Sequence, residues 1–307
     1  MEYNYEVFLK IISSLDLKVL KDEPMSKHTT FKIGGPADLF IIVDTKDSLI
    51  GTLDALKKLN IPFKILGNGS NLLVSDEGIK GAVIKFGEKF KKIKVLNEDS
   101  NRVKIYCGAG VQNSKFCIFA KENGFSGAEF LYGIPGTIGG AIYMNAGAYS
   151  SEIKDIIVSS ESIDQNGETI SLSKEQMKFS YRKSMFSKNK NILISAIFEL
   201  EKGELDKIAL KMEQNIKKRK SSQPLNFPNA GSIFKRPEKG FASKLIDECD
   251  LKGLKVGGAA VSTKHAGFIV NTGGAKCEDV LKLIKIIKNT VAKKTGVLLD
   301  LEVDYWH

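Results

Sequence analysis

The chain has 307 residues, a length that suggests two or three domains, and its 42% hydrophobic and 27% charged content excludes a disordered or fibrous class. Its formal charge of +10 admits polyanionic partners, either nucleic acid or a small pyrophosphate. The basic clusters Lys89, Lys91, Lys92 and Lys94, and Lys217, Lys218, Arg219 and Lys220, alternate with apolar residues as on a solvated face, so no nucleic-acid partner is expected.

The start MEYNYEVFLK lacks the basic and apolar regions of a leader, and no run of about 18 apolar residues follows. A cytoplasmic protein without membrane insertion is the expectation. Cys107, Cys117, Cys249 and Cys277 form no CxxC pair, so they read as reduced thiols with no metal to hold.

Val7, Phe8, Ile11, Ile12 and Leu15 recur at helical spacing and predict an opening amphipathic helix. A strand at 39–43, a helix at 47–59 and a strand at 63–66 then make a small α/β unit. Short β-type runs follow at 72–74, 82–86, 103–107, 156–163 and 192–200, interrupted by a helix near 114–122; the middle reads as antiparallel sheet. Asn166-Gly167 predicts a tight hairpin turn with both residues at positive φ. A basic helix from about 203 runs into Ser221-Ser222-Gln223-Pro224, a boundary signal. Beyond it come a helix at 241–249, strands at 259–261 and 268–270, a long helix and a closing strand at 297–303. In the long helix Val280, Leu283, Ile284, Ile287 and Val291 form an apolar stripe, with Lys282, Lys285 and Lys288 facing away. The fold class is α+β, with no internal repeat.

Two glycine-rich stretches carry chemistry. Gly67, Asn68, Gly69, Ser70 and Asn71 follow a predicted strand, where small residues let backbone N–H groups cradle a pyrophosphate and Ser70 and Asn71 add side-chain donors. Taken alone, the stretch reads first as a plain Gly/Asn turn. It is no dinucleotide fingerprint, because Leu72 stands where the third glycine belongs and a strand follows. Gly133, Ile134, Pro135, Gly136, Thr137, Ile138, Gly139, Gly140 and Ala141, continuing through Tyr143-Met144-Asn145-Ala146-Gly147-Ala148-Tyr149, look unsuited to a helix or strand interior and suited to backbone lying against a flat or anionic ligand.

The ordered set GNGSNLLVSDEG, GIPGTIGGAIYMNAGAY, YRKS, NAGSIFKRP and LDLEVD closely resembles the UDP-N-acetylenolpyruvoylglucosamine reductases of peptidoglycan synthesis, in their shorter form lacking a substrate-covering insertion. The resemblance implies a two-subdomain FAD-binding fold of the PCMH, vanillyl-alcohol-oxidase type over 1–203, with subdomains of about 1–88 and 89–203. It implies a substrate domain over 204–307. It also implies that NADPH reduces the flavin and leaves, and that hydride then passes to the vinyl carbon of the UDP-sugar. Both glycine-rich stretches would bind FAD.

Hydride addition to an enol ether conjugated with a carboxylate drives negative charge onto that carboxylate, so the site needs a cation there and an acid for the adjacent carbon. Arg182 matches the family's arginine; an arbitrary arginine in its place would be a surface ion pair. Ser232 matches the serine to which the family assigns proton donation, and would otherwise read as a turn or cap serine. Glu302 aligns with the family's glutamate; on a closing strand it would share one face with Asp300 and Asp304, which read without the resemblance is a solvent-facing acidic stripe. Its charge would repel the developing anion, so it serves protonated or by orienting Arg182 and a water. Ile233 and Arg236 stand where the family usually has phenylalanine and asparagine. Of the three histidines His28, His265 and His307, none neighbours the 67–71 stretch in sequence, so FAD is expected without a covalent histidyl bond, and His265 reads as structural. Two other classes stay open: a flavin oxidase of the same superfold acting on an alcohol, and a basic nucleic-acid-binding protein.

Overall fold

The computed structural model describes residues 3–189 and 191–307. Grouped by contact, the chain forms two units: one takes residues up to Leu20, Phe40–Asn68 and Gly81–Lys218, the other Lys21–Leu39, Gly69–Lys80 and Arg219–His307. The partition therefore does not follow a single cut at 203/204.

In the first unit the helix Lys46–Lys58 starts where Thr45 caps the amide of Ser48 (3.0 Å) and buries Leu49, Leu53 and Leu56, the stripe its spacing dictates. The strand Phe63–Leu66 runs parallel to Ile79–Phe86, with Phe63 opposite Ala82. An antiparallel sheet follows, in the order Thr169–Ser173, Ile157–Ile163, Ile192–Lys202, Arg102–Gly108, Ile93–Glu98, and the short strand Phe125–Ser126 pairs with the far end of Ile192–Lys202. The helix Asn113–Glu122 packs Phe116 against Phe198 of this sheet, ring centroids 4.9 Å apart. The hairpin at 164–168 corrects the two-residue turn expected there. Only Gly167 takes positive φ (+82°), and the Asp164 amide reaches the Glu168 carbonyl (2.9 Å). Three residues make the loop, an ordinary bend followed by one left-handed glycine.

The helix Leu205–Ser222 lies with the first unit as far as Lys218. Asn215 Nδ2 donates to the Glu129 carbonyl (3.0 Å), Tyr149 Oη donates to the Asn215 carbonyl (2.7 Å), and Lys211 pairs with the buried Glu129 carboxylate (3.5 Å). Its register on the sheet side is thus set by a buried amide, and a boundary signal in the sequence cannot express that.

In the second unit a sheet of order Asn229–Ser232, Phe268–Asn271, Ala259–Val261, Lys255–Val256 carries the long helix Cys277–Thr295. The expected stripe is core: Val280, Leu283, Ile287 and Val291 are fully buried, and Phe31, Ile33 and Leu73 from two earlier segments complete it. The long helix also borrows its N-terminal cap from far away. Asp76 accepts from the amides of Cys277 (2.8 Å) and Glu278 (3.0 Å), placing a carboxylate at the positive end of the helix dipole. Asp76→Ala is expected to lower stability by about 1–2 kcal/mol, read as a fall in Tm, with Asp76→Asn in between.

The closing strand differs from expectation. Residues 297–303 bury Leu299 and Val303, but among the described residues they join no ladder, only the isolated bridge between Leu301 and Phe234. The ladder begins at Asp304–Trp306, which runs parallel to Leu72–Val74. Alternation reports which face is buried; a strand exists only where another backbone lies alongside. Among the described residues no helix is long and apolar enough to cross a membrane.

Candidate active site

In the first unit, Gly67 and the 133–141 stretch meet. A Cβ built on Gly67 would lie 2.8 Å from Thr137 Oγ1, so any larger residue must push the Thr137 side chain aside. The 133–141 stretch is not wholly loop, contrary to expectation. Residues Ile138–Tyr143 form a short helix with Gly139 and Gly140 inside it and Thr137 as its cap, Oγ1 accepting from the Gly140 amide (3.3 Å). Glycine is tolerated there because Gly139 packs on Ala109, where a Cβ would stand 3.1 Å from the Ala109 Cβ. The Ile138 and Gly139 amides donate to the Val111 (2.8 Å) and Ala109 (2.9 Å) carbonyls. These first-turn donors are therefore not available to an anion.

Gly133 (φ +93°), Ile134, Pro135 and Gly136 form the true loop ahead of that helix, and Ala141 is buried within it. Asn113, at the start of the helix Asn113–Glu122, holds the loop: its amide N–H donates to the Gly136 carbonyl (3.0 Å) and its Nδ2 to the Ile134 carbonyl (3.2 Å). Asn113 is 1% exposed and its Oδ1 has no protein partner, a polar atom left for a donor from outside the chain. The sequence held no signal for this residue beyond a polar side chain among apolar helix positions.

Arg182 also belongs to the first unit. Ser180 and Lys183 exchange backbone hydrogen bonds (3.0 and 3.1 Å), making a tight turn with Tyr181 and Arg182 at its corners. Arg182 has φ +55°, the position of a type II turn that favours glycine or asparagine, and a left-handed arginine costs about 1–2 kcal/mol. Its Nη2 donates to the Gly147 carbonyl (3.3 Å), and its guanidinium lies 5.0 Å from the centre of the Tyr181 ring.

The second unit brings Gly69, Ser70, Asn71, Ser232 and Glu302 onto connected backbone. The Gly69 carbonyl accepts from Thr30 (3.1 Å), and a Cβ on Gly69, at φ +60°, would stand 2.2 Å from the His28 carbonyl oxygen. Asn71 Nδ2 donates to the Glu302 carbonyl (2.9 Å), and the Asn71 carbonyl accepts from Asp304 (2.8 Å). Asn71 thus grips the closing segment. The Glu302 amide donates to the Ile233 carbonyl (2.8 Å), one residue from Ser232. Ser232 ends its strand opposite Phe268, after a bulge at Gly231 (φ +76°) that the Asn229 side chain closes onto the Gly231 amide (2.9 Å). A bulge re-aims the residue after it. Glu302 is half-buried while Asp300 and Asp304 are exposed, so the three carboxylates are not one solvent-facing stripe.

His28 lies beside the 67–71 stretch in space, a proximity that sequence distance concealed, and its Nε2 is 3.0 Å from Glu23 Oε1. Hydrogen bonding from His28 is the main cause holding the Glu23 carboxyl below its ordinary pKa. His265 Nδ1 accepts from the Gly267 amide (3.2 Å), its ring meets Phe268 edge-on, and burial pushes its pKa down: a neutral, structural histidine. All four cysteines are buried and unpaired.

The profile of an FAD binding domain matches residues 37–173, and that of the C-terminal domain of UDP-N-acetylenolpyruvoylglucosamine reductase matches 223–306. A reductase of that name from Clostridium novyi is 43% identical over 304 residues, 99% of this chain and 97% of its own length. One from Clostridioides difficile is 45% identical over 299 residues, 97% of this chain and 96% of its own. The chain belongs to the UDP-N-acetylenolpyruvoylglucosamine reductase family. Among solved structures, the reductase of that family from Thermus caldophilus superposes with a TM-score of 0.81 at 33% identity, covering 95% of this chain and all of its own. A berberine bridge enzyme variant shares the fold alone, at a TM-score of 0.50 and 12% identity over 66% of this chain and 44% of its own. The α+β class expected from the sequence, an FAD-binding part followed by the family's C-terminal domain, stands.

The first unit's residues fit a flavin nucleotide: a side-chain-free Gly67, the loop from Gly133 to Gly136, and the buried, unpartnered Oδ1 of Asn113. Gly67→Val is expected to lower flavin content per protein while leaving far-UV circular dichroism unchanged, because the neighbour it meets is the side chain of Thr137. Full flavin content in Gly67→Val would remove this position from the cradle. Gly69→Val tests the fold instead, since backbone stands in its way.

Proposed function

We propose that this chain reduces UDP-N-acetylenolpyruvoylglucosamine to UDP-N-acetylmuramate with NADPH, through FAD, as a cytoplasmic step of peptidoglycan precursor synthesis. The observation that carries the reading is the likeness to reductases of that name over 99% and 97% of the chain. The division of labour is that of the sequence, residues 1–203 for the flavin and 204–307 for the UDP-sugar, supported by the two profile matches. In this reading FAD is held without a covalent bond.

FAD, when bound, would supply the hydride relay between NADPH and the terminal vinyl carbon of the substrate. Arg182 presents two N–H donors to the substrate carboxylate, where charge builds only as hydride arrives, so its contribution falls on the transition state. Ser232 gives its hydroxyl proton to the carbon beside that carboxylate and regains one from solvent. Glu302, half-buried on the segment bonded to the residue after Ser232, orients the proton donor rather than stabilising charge. Gly67, Asn68, Gly69, Ser70 and Asn71 with Gly133 to Ala141 bind the cofactor, the backbone of the first stretch approaching the pyrophosphate.

The test is spectroscopic. Under anaerobic conditions NADPH bleaches the visible flavin band, UDP-N-acetylenolpyruvoylglucosamine restores it, and mass spectrometry finds UDP-N-acetylmuramate. Bleaching by an alcohol substrate and not by NADPH would instead make the chain an oxidase of the same superfold.

A further inference from the structure

Asn145 sits in the segment between Tyr143 and Tyr149, which the sequence offers as a continuation of a cofactor loop. The structure gives this segment another occupant. Three alternate residues hold the turn that carries Arg182: the Tyr143 carbonyl accepts from Ser184 Oγ (2.8 Å), Asn145 Nδ2 donates to the Ser180 carbonyl (3.1 Å), and the Gly147 carbonyl accepts from Arg182 Nη2 (3.3 Å). Asn145 is fully buried and every polar atom of its side chain is used. Nδ2 also donates to Glu152 Oε2 (3.0 Å), and Oδ1 accepts from the Lys154 amide (3.1 Å). Asn145 itself has φ +43°, a conformation that asparagine tolerates better than other side chains with a Cβ.

We propose that Asn145 is a positioning residue for the reduction, acting through Arg182. Of the three anchors, one comes after the turn at Ser184 and one is the arginine's own side chain. Asn145 is the one of the three that holds backbone entering the turn, at the Ser180 carbonyl that Lys183 also bonds. Its bond to Ser180 opposes relaxation of Arg182 out of the left-handed region, and its bonds to Glu152 and Lys154 tie that grip to the short helix Ile153–Ile156. Loss of the grip lets the guanidinium drift, and a misplacement of about 1 Å at a reacting centre costs on the order of 100-fold in rate.

The inference rests on the reading that Arg182 meets the substrate carboxylate, and a double-mutant cycle separates the two. Asn145→Gly removes the side-chain bonds and keeps the backbone conformation, since glycine accepts positive φ. It is expected to retain flavin content and the rate of flavin reduction by NADPH, and to slow reoxidation by UDP-N-acetylenolpyruvoylglucosamine by about 10- to 100-fold. In an Arg182→Ala background the same change is expected to have no further effect on reoxidation. Asn145→Ala removes the same side-chain bonds and repeats the cycle with a Cβ kept, at the cost of a left-handed alanine. Wild-type reoxidation in Asn145→Gly, or an equal slowing with and without Arg182, overturns the inference. Undiminished reoxidation in Arg182→Ala alone overturns the reading beneath it.

Discussion

Replacing Ser232 with alanine is expected to leave a folded, yellow protein that oxidises NADPH at the wild-type rate and fails at the second half of its cycle. Ser232 is half-exposed at the end of its strand, and its ladder with Phe268 is made by backbone, so removing one hydroxyl takes nothing from the sheet. What goes, on the proposed role, is the proton donor. General acid catalysis contributes about 10²–10⁴-fold, and substrate-driven reoxidation of the flavin is expected to fall by at least that range. Ser232→Cys keeps a donor of lower pKa and is expected to retain more activity than alanine. Solvent deuterium should enter the carbon beside the carboxylate with a single stereochemistry. Equal stopped-flow reoxidation traces for Ser232→Ala and wild type would move the role to Glu302 or a bound water.

Arg182→Ala is expected to produce the second-largest loss, about 10²–10³-fold in the same half-reaction, the cost of removing one donor group aimed at developing charge. Flavin reduction by NADPH and flavin content should be spared, because Arg182 is held by the Gly147 carbonyl and the turn 180–183 and not by the loop 133–136. Arg182→Lys keeps the charge without the planar fork and is expected to fall between the two. Should reduction by NADPH collapse while substrate-driven reoxidation stays normal, Arg182 belongs to the other half of the cycle. The substitution also serves as a test of strain: alanine at φ +55° relieves nothing, whereas Arg182→Gly should raise Tm while slowing the same half-reaction about as much as Arg182→Ala.

The sequence by itself determined whatever depends on a few neighbouring residues. The stripe from Val280 to Val291, the helix beginning at Thr45 and the strand Phe63–Leu66 follow from periodicity and capping, because one face of a short element must be buried. The ordered motifs likewise led to the family, since each motif keeps its local chemistry. The tertiary structure decided the rest. Gly139 sits inside a helix because Ala109 comes close there, and Asn71, expected only as a donor within the 67–71 stretch, also clamps the Glu302 carbonyl, 231 residues away. Asp76 became the cap of a helix that starts at Cys277, and the last strand moved to Asp304 because only there does Leu72–Val74 run alongside. An arginine at positive φ, held from below by Asn145, has no signature in propensity at all. Local pattern states which atoms must be hidden or bonded; which partner hides or bonds them depends on backbone brought together from far along the chain, and that is settled only when the whole core closes.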